Sequence, residues 1–391
     1  MKKVNLSVRV CVARLLLTAV AISSPAQTLN TLHSFTGSDG SDPYASLLQA
    51  SDGNFYGTTS AGGANNNGTV FQLTPSGTLT TLHSFNQFIL DDGNQPYGWL
   101  IEARDGNLYG TTAHGGVGRQ GTIYRVTLDG SFHTVASFIY QLDGSNTLDG
   151  LFQASNGSMY GTAANGGNTG SGTVYEVTAF GQLTGIYSFG AHGTSPIGGL
   201  VQASNGNLYG TSYFGGQYSC GTIFKVTPSG SFTSLVDFGS NQTEGCLPYA
   251  GLVVGADGNL YGTTSAGGAP QGANAGIAFK ITPAGALTIL HVFDNTDGAA
   301  PLGALLLASD GNFYGTTELG GAHNQGTIFR MTPSGTVTLL YSFCSQSGCS
   351  DGRYPYAGLI EGRDGNLYGT ATAGGNADKG TVFSLATGLR R

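Results

Sequence analysis

The chain has 391 residues, of which 39% are apolar, only 9% are Lys, Arg, Asp or Glu, and 66 are glycine. So little charge excludes a coiled coil, and apolar residues placed this regularly exclude a disordered chain, which leaves many short strands joined by turns. A formal net charge of −7 makes nucleic acid and anionic membranes poor partners.

Residues 1–26 are expected to be a secretory signal peptide. Lys2, Lys3, Arg9 and Arg14 give a basic start, residues 15–22 are apolar, and Ser24-Pro25-Ala26 offers small residues for cleavage. The apolar stretch is too short to span a bilayer, and no transmembrane segment is expected later. Cleavage would remove four positive charges and no negative one, moving the net charge from −7 to −11.

Residues 28–35, TLNTLHSF, nearly repeat residues 78–85, TLTTLHSF. Between them lies one complete unit. Residues 43–50 predict an inner strand a, and residues 51–54 a tight turn in which Gly53 supplies the positive φ. Residues 55–59 predict strand b, 61–67 a glycine-rich loop, 68–74 strand c, 75–77 a second turn and 78–85 strand d. The phrase [Asp/Asn]-Gly-[Asn/Ser]-x-Tyr-Gly-Thr then recurs at Tyr56, Tyr109, Tyr160, Tyr209, Tyr261, Tyr314 and Tyr368, 49 to 54 residues apart. That period suits one four-stranded propeller blade.

The expectation is therefore an all-β, seven-bladed β-propeller of antiparallel blades in residues 27–391. The blades fall at about 43–85, 96–138, 147–189, 196–238, 248–293, 301–343 and 355–385. The last copy lacks strand d, and residues 28–35 are expected to supply it and close the ring. Each copy also carries a Gly-Gly pair after strand b, such as Gly62-Gly63 and Gly115-Gly116. With no helix following, these read as backbone conformations that glycine enters freely rather than as a phosphate cradle.

The run from Asp52 through Thr59, with Gly62-Gly63 and the stretch from Gly68 to Gly77, resembles the GloVer tandem-repeat proteins. The resemblance covers residues 28–385. It implies a secreted bacterial protein with a propeller-like fold, and it brings no established activity or catalytic motif. Members often carry a C-terminal sorting anchor, and residues 386–391 show no such motif. The glycine pairs are also similar to those of kelch repeats, but Trp99 is the sole tryptophan.

In such a blade the d–a connections and b–c loops share one face, and here they are the longer, more variable set. Binding is expected there, at the mouth of the central channel. The connections share a motif close to Asp-Gly-x-x-Pro-Tyr, opened by Asp39, Asp92, Asp143, His192, Glu244, Asp297 and Asp351. With Asp42, Asp91, Asp149 and Asp294 they hold ten acids against one base, Arg353. No cofactor motif is present. Ca²⁺ is the ion clustered carboxylates would suit, although an Asp-Gly turn explains each acid more simply. Tyr44, Tyr97, Tyr249 and Tyr356 open strand a beside the axis, where they could stack on sugar rings or pack between blades.

Nucleophile elbows, zinc motifs and phosphate loops are missing. His33, His83 and His291 share one position in strand d and read as structural. His114, His192 and His323 lie in loops of three blades and could meet only across the mouth. Cys11 would leave with the signal, and the remaining four cysteines are expected to pair as Cys220–Cys246 and Cys344–Cys349. The function expected is a non-catalytic scaffold or recognition module for a glycan or protein ligand, secreted or at the cell surface and acting as a monomer. The alternative is a glycan-active hydrolase using carboxylates on that same face.

Overall fold

The computed structural model describes residues 27–178, 180–241, 243–268 and 274–389. The expected signal peptide, residues 1–26, lies outside them. Seven four-stranded antiparallel sheets stand round an axis. In the first blade strand a is Leu48–Gln49, b is Phe55–Thr59, c is Thr69–Leu73 and d is Leu79–Ser84. The other blades repeat this order, and no helix longer than one short 3₁₀ turn, Ser347–Cys349, occurs among the described residues.

Strand a is shorter than residues 43–50. The lost ladder is replaced by bonds between blades. Thr58 Oγ1 donates to the Gly98 carbonyl of the next blade, Thr111, Thr162, Thr211 and Thr316 repeat the bond, and Thr263 reaches Pro301, two residues earlier in its blade. Thr370 donates to Ala45 O and carries this stitch from blade seven to blade one. The threonine after each Tyr-Gly is thus an inter-blade fastener.

The remainder of the repeated phrase is a turn. Asp52 accepts from the Asn54 backbone N–H and side-chain amide and from the Tyr56 hydroxyl. These donors outweigh the cost of burial and hold the Asp52 carboxyl below its ordinary range. Gly57 is glycine for space: a Cβ there would sit 2.5 Å from the Phe71 ring of strand c.

The ring closes as expected. Leu29–Ser34 pairs antiparallel with Thr381–Leu385, so the N-terminal strand is strand d of blade seven. It even reproduces the bulge found in every strand d: Leu32 is skipped in the register as Leu82 is in blade one. Leu29 and Phe35 are buried, and Leu32 packs at the blade seven–blade one junction.

The apolar core lies between blades, in seven clusters. Tyr56, Val70 and Phe85 of blade one, for example, meet Leu100, Leu108 and Tyr124 of blade two. No blade buries its own apolar faces alone, which is why a closed ring is required.

Candidate binding site at the channel mouth

The d–a connections and b–c loops do share a face. Ser41 exchanges backbone bonds with Ala61, and equivalent bridges or two-residue ladders join connection to loop in the other blades. The Gly-Gly pair makes this approach feasible. Gly62 has φ +75°, and a Cβ on it would lie 2.6 Å from the Gly37 carbonyl.

On that face the structure separates the expected site residues into two sets. The acids that open each connection stand against the outer strand. Asp39 accepts from the Thr36 N–H and pairs with His33 at 2.9 Å. Asp92 accepts from Asn86 N–H and pairs with His83, and Asp297 pairs with His291 at 2.6 Å. Where strand d carries tyrosine instead, Tyr341 donates to Asp351. Where it carries Ala136, Asp143 accepts from the Ile139 N–H, and burial raises its carboxyl pKa against that bond. Burial also opposes ionisation of Asp39, but its bonds to Thr36 and His33 prevail and lower its pKa. Each acid therefore closes its own connection. Among the described residues no three His, Cys, Asp or Glu side chains gather as a metal site.

The tyrosines converge. Tyr44 lies 5.4 Å from Tyr97 and 4.9 Å from Tyr356, and Tyr249 lies 5.2 Å from Tyr356, centroid to centroid. Tyr213, from a b–c loop, meets Tyr249 edge-on. The convergence follows from the connection's shape. Asp42, Gln95, Asn146, Ser195, Leu247, Ala300 and Tyr354 all hold a left-handed backbone, with φ between 50° and 61°. Three residues after Asp42, Gln95 and Asn146 come the carbonyls of Ala45, Gly98 and Asp149, which accept the inter-blade threonine bonds. Burial, more than neighbouring charge, pushes the phenols upward, Tyr249 to about 12.

The tyrosines border a cavity of about 60 Å³ in the bore, lined by residues that lead into strand a from all seven blades. Two of its residues break the repeat. Asp149 stands where the other blades have Ala45, Gly98, Gly198, Ala250, Gly303 and Ala357. Trp99 stands where they have Ser46, Gly150, Gly199, Gly251, Ala304 and Gly358. The indole face lies on Gly150: a Cβ there would meet Cδ1, Nε1 and Cδ2 of Trp99 at 2.5–2.7 Å. A Cβ on Gly199 would meet Trp99 at 2.4 Å and Asp149 Oδ2 at 3.0 Å.

Asp149 accepts from the Gly150 N–H at 2.8 Å. It lines the cavity and is partly exposed, and burial pushes its carboxyl up to about 8. Glu318, in a b–c loop at the mouth, is also raised by burial. Stacking the seven copies in register would have singled out Trp99 and Asp149 from sequence. Glu318 and Tyr213 carried no such signal, because their position already varies among Ser60, Ala113, Ala164, Ser265 and Thr372.

Both expected disulfides are present. Cys220 of a b–c loop joins Cys246 of the following connection, with Cα atoms 4.6 Å apart, and Cys344 joins Cys349 across 4.1 Å. Two disulfides fit an oxidising compartment, and no helix among the described residues is long and apolar enough to cross a membrane.

The model of the Gloeobacter/Verrucomicrobia repeat matches residues 18–154, 104–306 and 241–389. This chain belongs to that repeat family. No curated protein matches it. Among solved structures, this chain is similar to a streptogramin B lyase, at 18% identity and TM-score 0.64, over 92% of this chain and 97% of that one. Virginiamycin B lyase from Staphylococcus aureus gives 14% identity and TM-score 0.63, over 92% and 99%. The extracellular domain of a one-component system from B. thetaiotaomicron gives 11% and 0.58, over 91% of this chain and 40% of that one. At these identities the likeness is one of fold.

Proposed function

We propose that this repeat propeller is an exported, monomeric, non-catalytic recognition module whose channel mouth receives a glycan. One observation carries the reading: Tyr44, Tyr97, Tyr249 and Tyr356 converge on the mouth, while Asp39, Asp92 and Asp143, which open their connections, are each engaged within their own connection. Clustered phenols offer apolar ring surface with polar tips, the combination that suits a sugar's apolar face and its hydroxyl rim. A bore of about 60 Å³ is too small for a sugar ring, so the ligand would rest on the tyrosines rather than enter. The two disulfides and the basic, apolar start of the chain favour export.

The test is a glycan array probed with the mature protein and with Tyr44→Ala and Tyr249→Ala variants. Binding that both substitutions abolish, with folding intact, is the expected result. An empty array, or binding that both variants retain, would overturn the reading.

A second reading rests on Asp149 and Glu318, two carboxyls raised by burial that both act on the mouth tyrosines. A protonated carboxyl near neutral pH could serve as the general acid of a glycan hydrolase. Its mark would be glycan cleavage lost in both Asp149→Asn and Glu318→Gln.

A further inference from the structure

The two residues that depart from the seven-fold repeat in the bore occupy one spot. Trp99 comes from blade two and Asp149 from blade three, and Gly150 and Gly199 leave the space they fill. Neither departure helps the fold in an obvious way. Five blades manage with neither, and a lone carboxyl in a bore is a burden on stability. The cavity beside them is walled by Tyr44, Tyr97, Tyr249, Tyr356 and Trp99, with Asp149 as its one carboxyl and no Lys, Arg or His in the lining. Asp149 acts electrostatically on the fully buried Tyr175 hydroxyl, which has no hydrogen-bond partner among the described residues. Aromatic rings around one carboxylate make a site for an organic cation: the rings' quadrupoles and the carboxylate all favour positive charge, and the walls exclude its water.

We propose that the bore beneath the tyrosine mouth binds a small alkylammonium head group, with Asp149 as counter-ion and Trp99 and the tyrosines as its aromatic wall. The proposal rests on the reading of the mouth as the binding face and names a charge its ligand carries. An amine-bearing ligand would place its ammonium in the bore while the remainder lies on the mouth. With burial raising the Asp149 carboxyl to about 8, binding near neutral pH exchanges its proton for the ammonium: the carboxyl O–H ionises, the proton leaves to solvent, and the carboxylate keeps the cation. Other titratable groups facing the site are the phenols of Tyr44, Tyr97, Tyr175, Tyr249 and Tyr356, all raised by burial, and Asp42 and Glu318 at the rim. Glu318 is the other acid at the mouth raised by burial, so Glu318→Gln serves as a control.

The experiment measures binding of methylammonium chloride by calorimetry against potassium chloride at equal ionic strength. The expected result is saturable methylammonium binding whose affinity falls about tenfold from pH 7 to pH 6, as one released proton requires. Asp149→Asn should lose the binding and Trp99→Leu should weaken it, while Glu318→Gln keeps both binding and pH slope. Equal binding of potassium, no binding of methylammonium, or binding unchanged in a folded Asp149→Asn would each overturn the proposal. A glycan signal that Asp149→Asn retains, but Tyr44→Ala loses, would leave the mouth reading standing while the cation site falls.

Discussion

Replacing Asp149 by Asn should stabilise the propeller, and increasingly so as pH rises. The amide keeps an oxygen to accept the Gly150 N–H at 2.8 Å and removes the ionisable proton. The folded-state value of about 8 lies above the reference of 3.8. With the folded value raised, the carboxyl's contribution is complete below about pH 4 and is lost as pH climbs toward 8. From pH 3.8 to pH 7 the unfolded chain ionises and the folded one does not, over about three units. At about 1.4 kcal/mol per unit that is ~4 kcal/mol, reduced to ~2–4 kcal/mol because the bore admits water. For a chain this long, with an unfolding entropy of about 2 cal/mol/K per residue, the substitution should raise the melting temperature by about 3–5 °C at pH 7–8. At pH 4 it should do almost nothing. Melts of both proteins from pH 4 to pH 9, at one scan rate, provide the assay. A gain that is the same at pH 4 and pH 8, or a loss at pH 8, would refute the burial argument.

Deleting residues 28–35 should expose the edge of Thr381–Leu385 and unlatch the ring, giving broad melting and aggregation in size-exclusion chromatography; a monomer that melts normally would show the strand to be dispensable. Cys220→Ser with Cys246→Ser should cost ~2–4 kcal/mol, and mass spectrometry of the unreduced exported protein should find two disulfides. Gly57→Ala drives a methyl into the Phe71 ring and should destabilise by about 1–3 kcal/mol in denaturant melts. Millimolar Ca²⁺ should leave the melting temperature unchanged if the connection acids act only within their turns, whereas a rise would point to a cation held by them.

The ring was legible in the sequence because propeller blades repeat their chemistry along with their geometry. The strand-d copy at residues 28–35 predicts closure, and the two disulfides follow from cysteines in neighbouring loops of one face. The candidate site was legible only in part. Tyr44, Tyr97, Tyr249 and Tyr356 could be placed at the axis, since strand a is innermost. That Asp39, Asp92 and Asp297 reach outward to histidines of strand d was not legible. Along the chain His33 and Asp39 are merely six apart, and only the folded connection turns one toward the other.

By itself the sequence determined the number of blades, their strand order and the need for closure, because these rest on local periodicity and turn chemistry. The tertiary structure decided what meets at the axis. Trp99 and Asp149 lie fifty residues apart in different blades, and Gly199, whose absent side chain gives them room, belongs to a third. The bore is where residues from all seven blades converge. Its contents are set by ring geometry, a long-range property that no single repeat encodes.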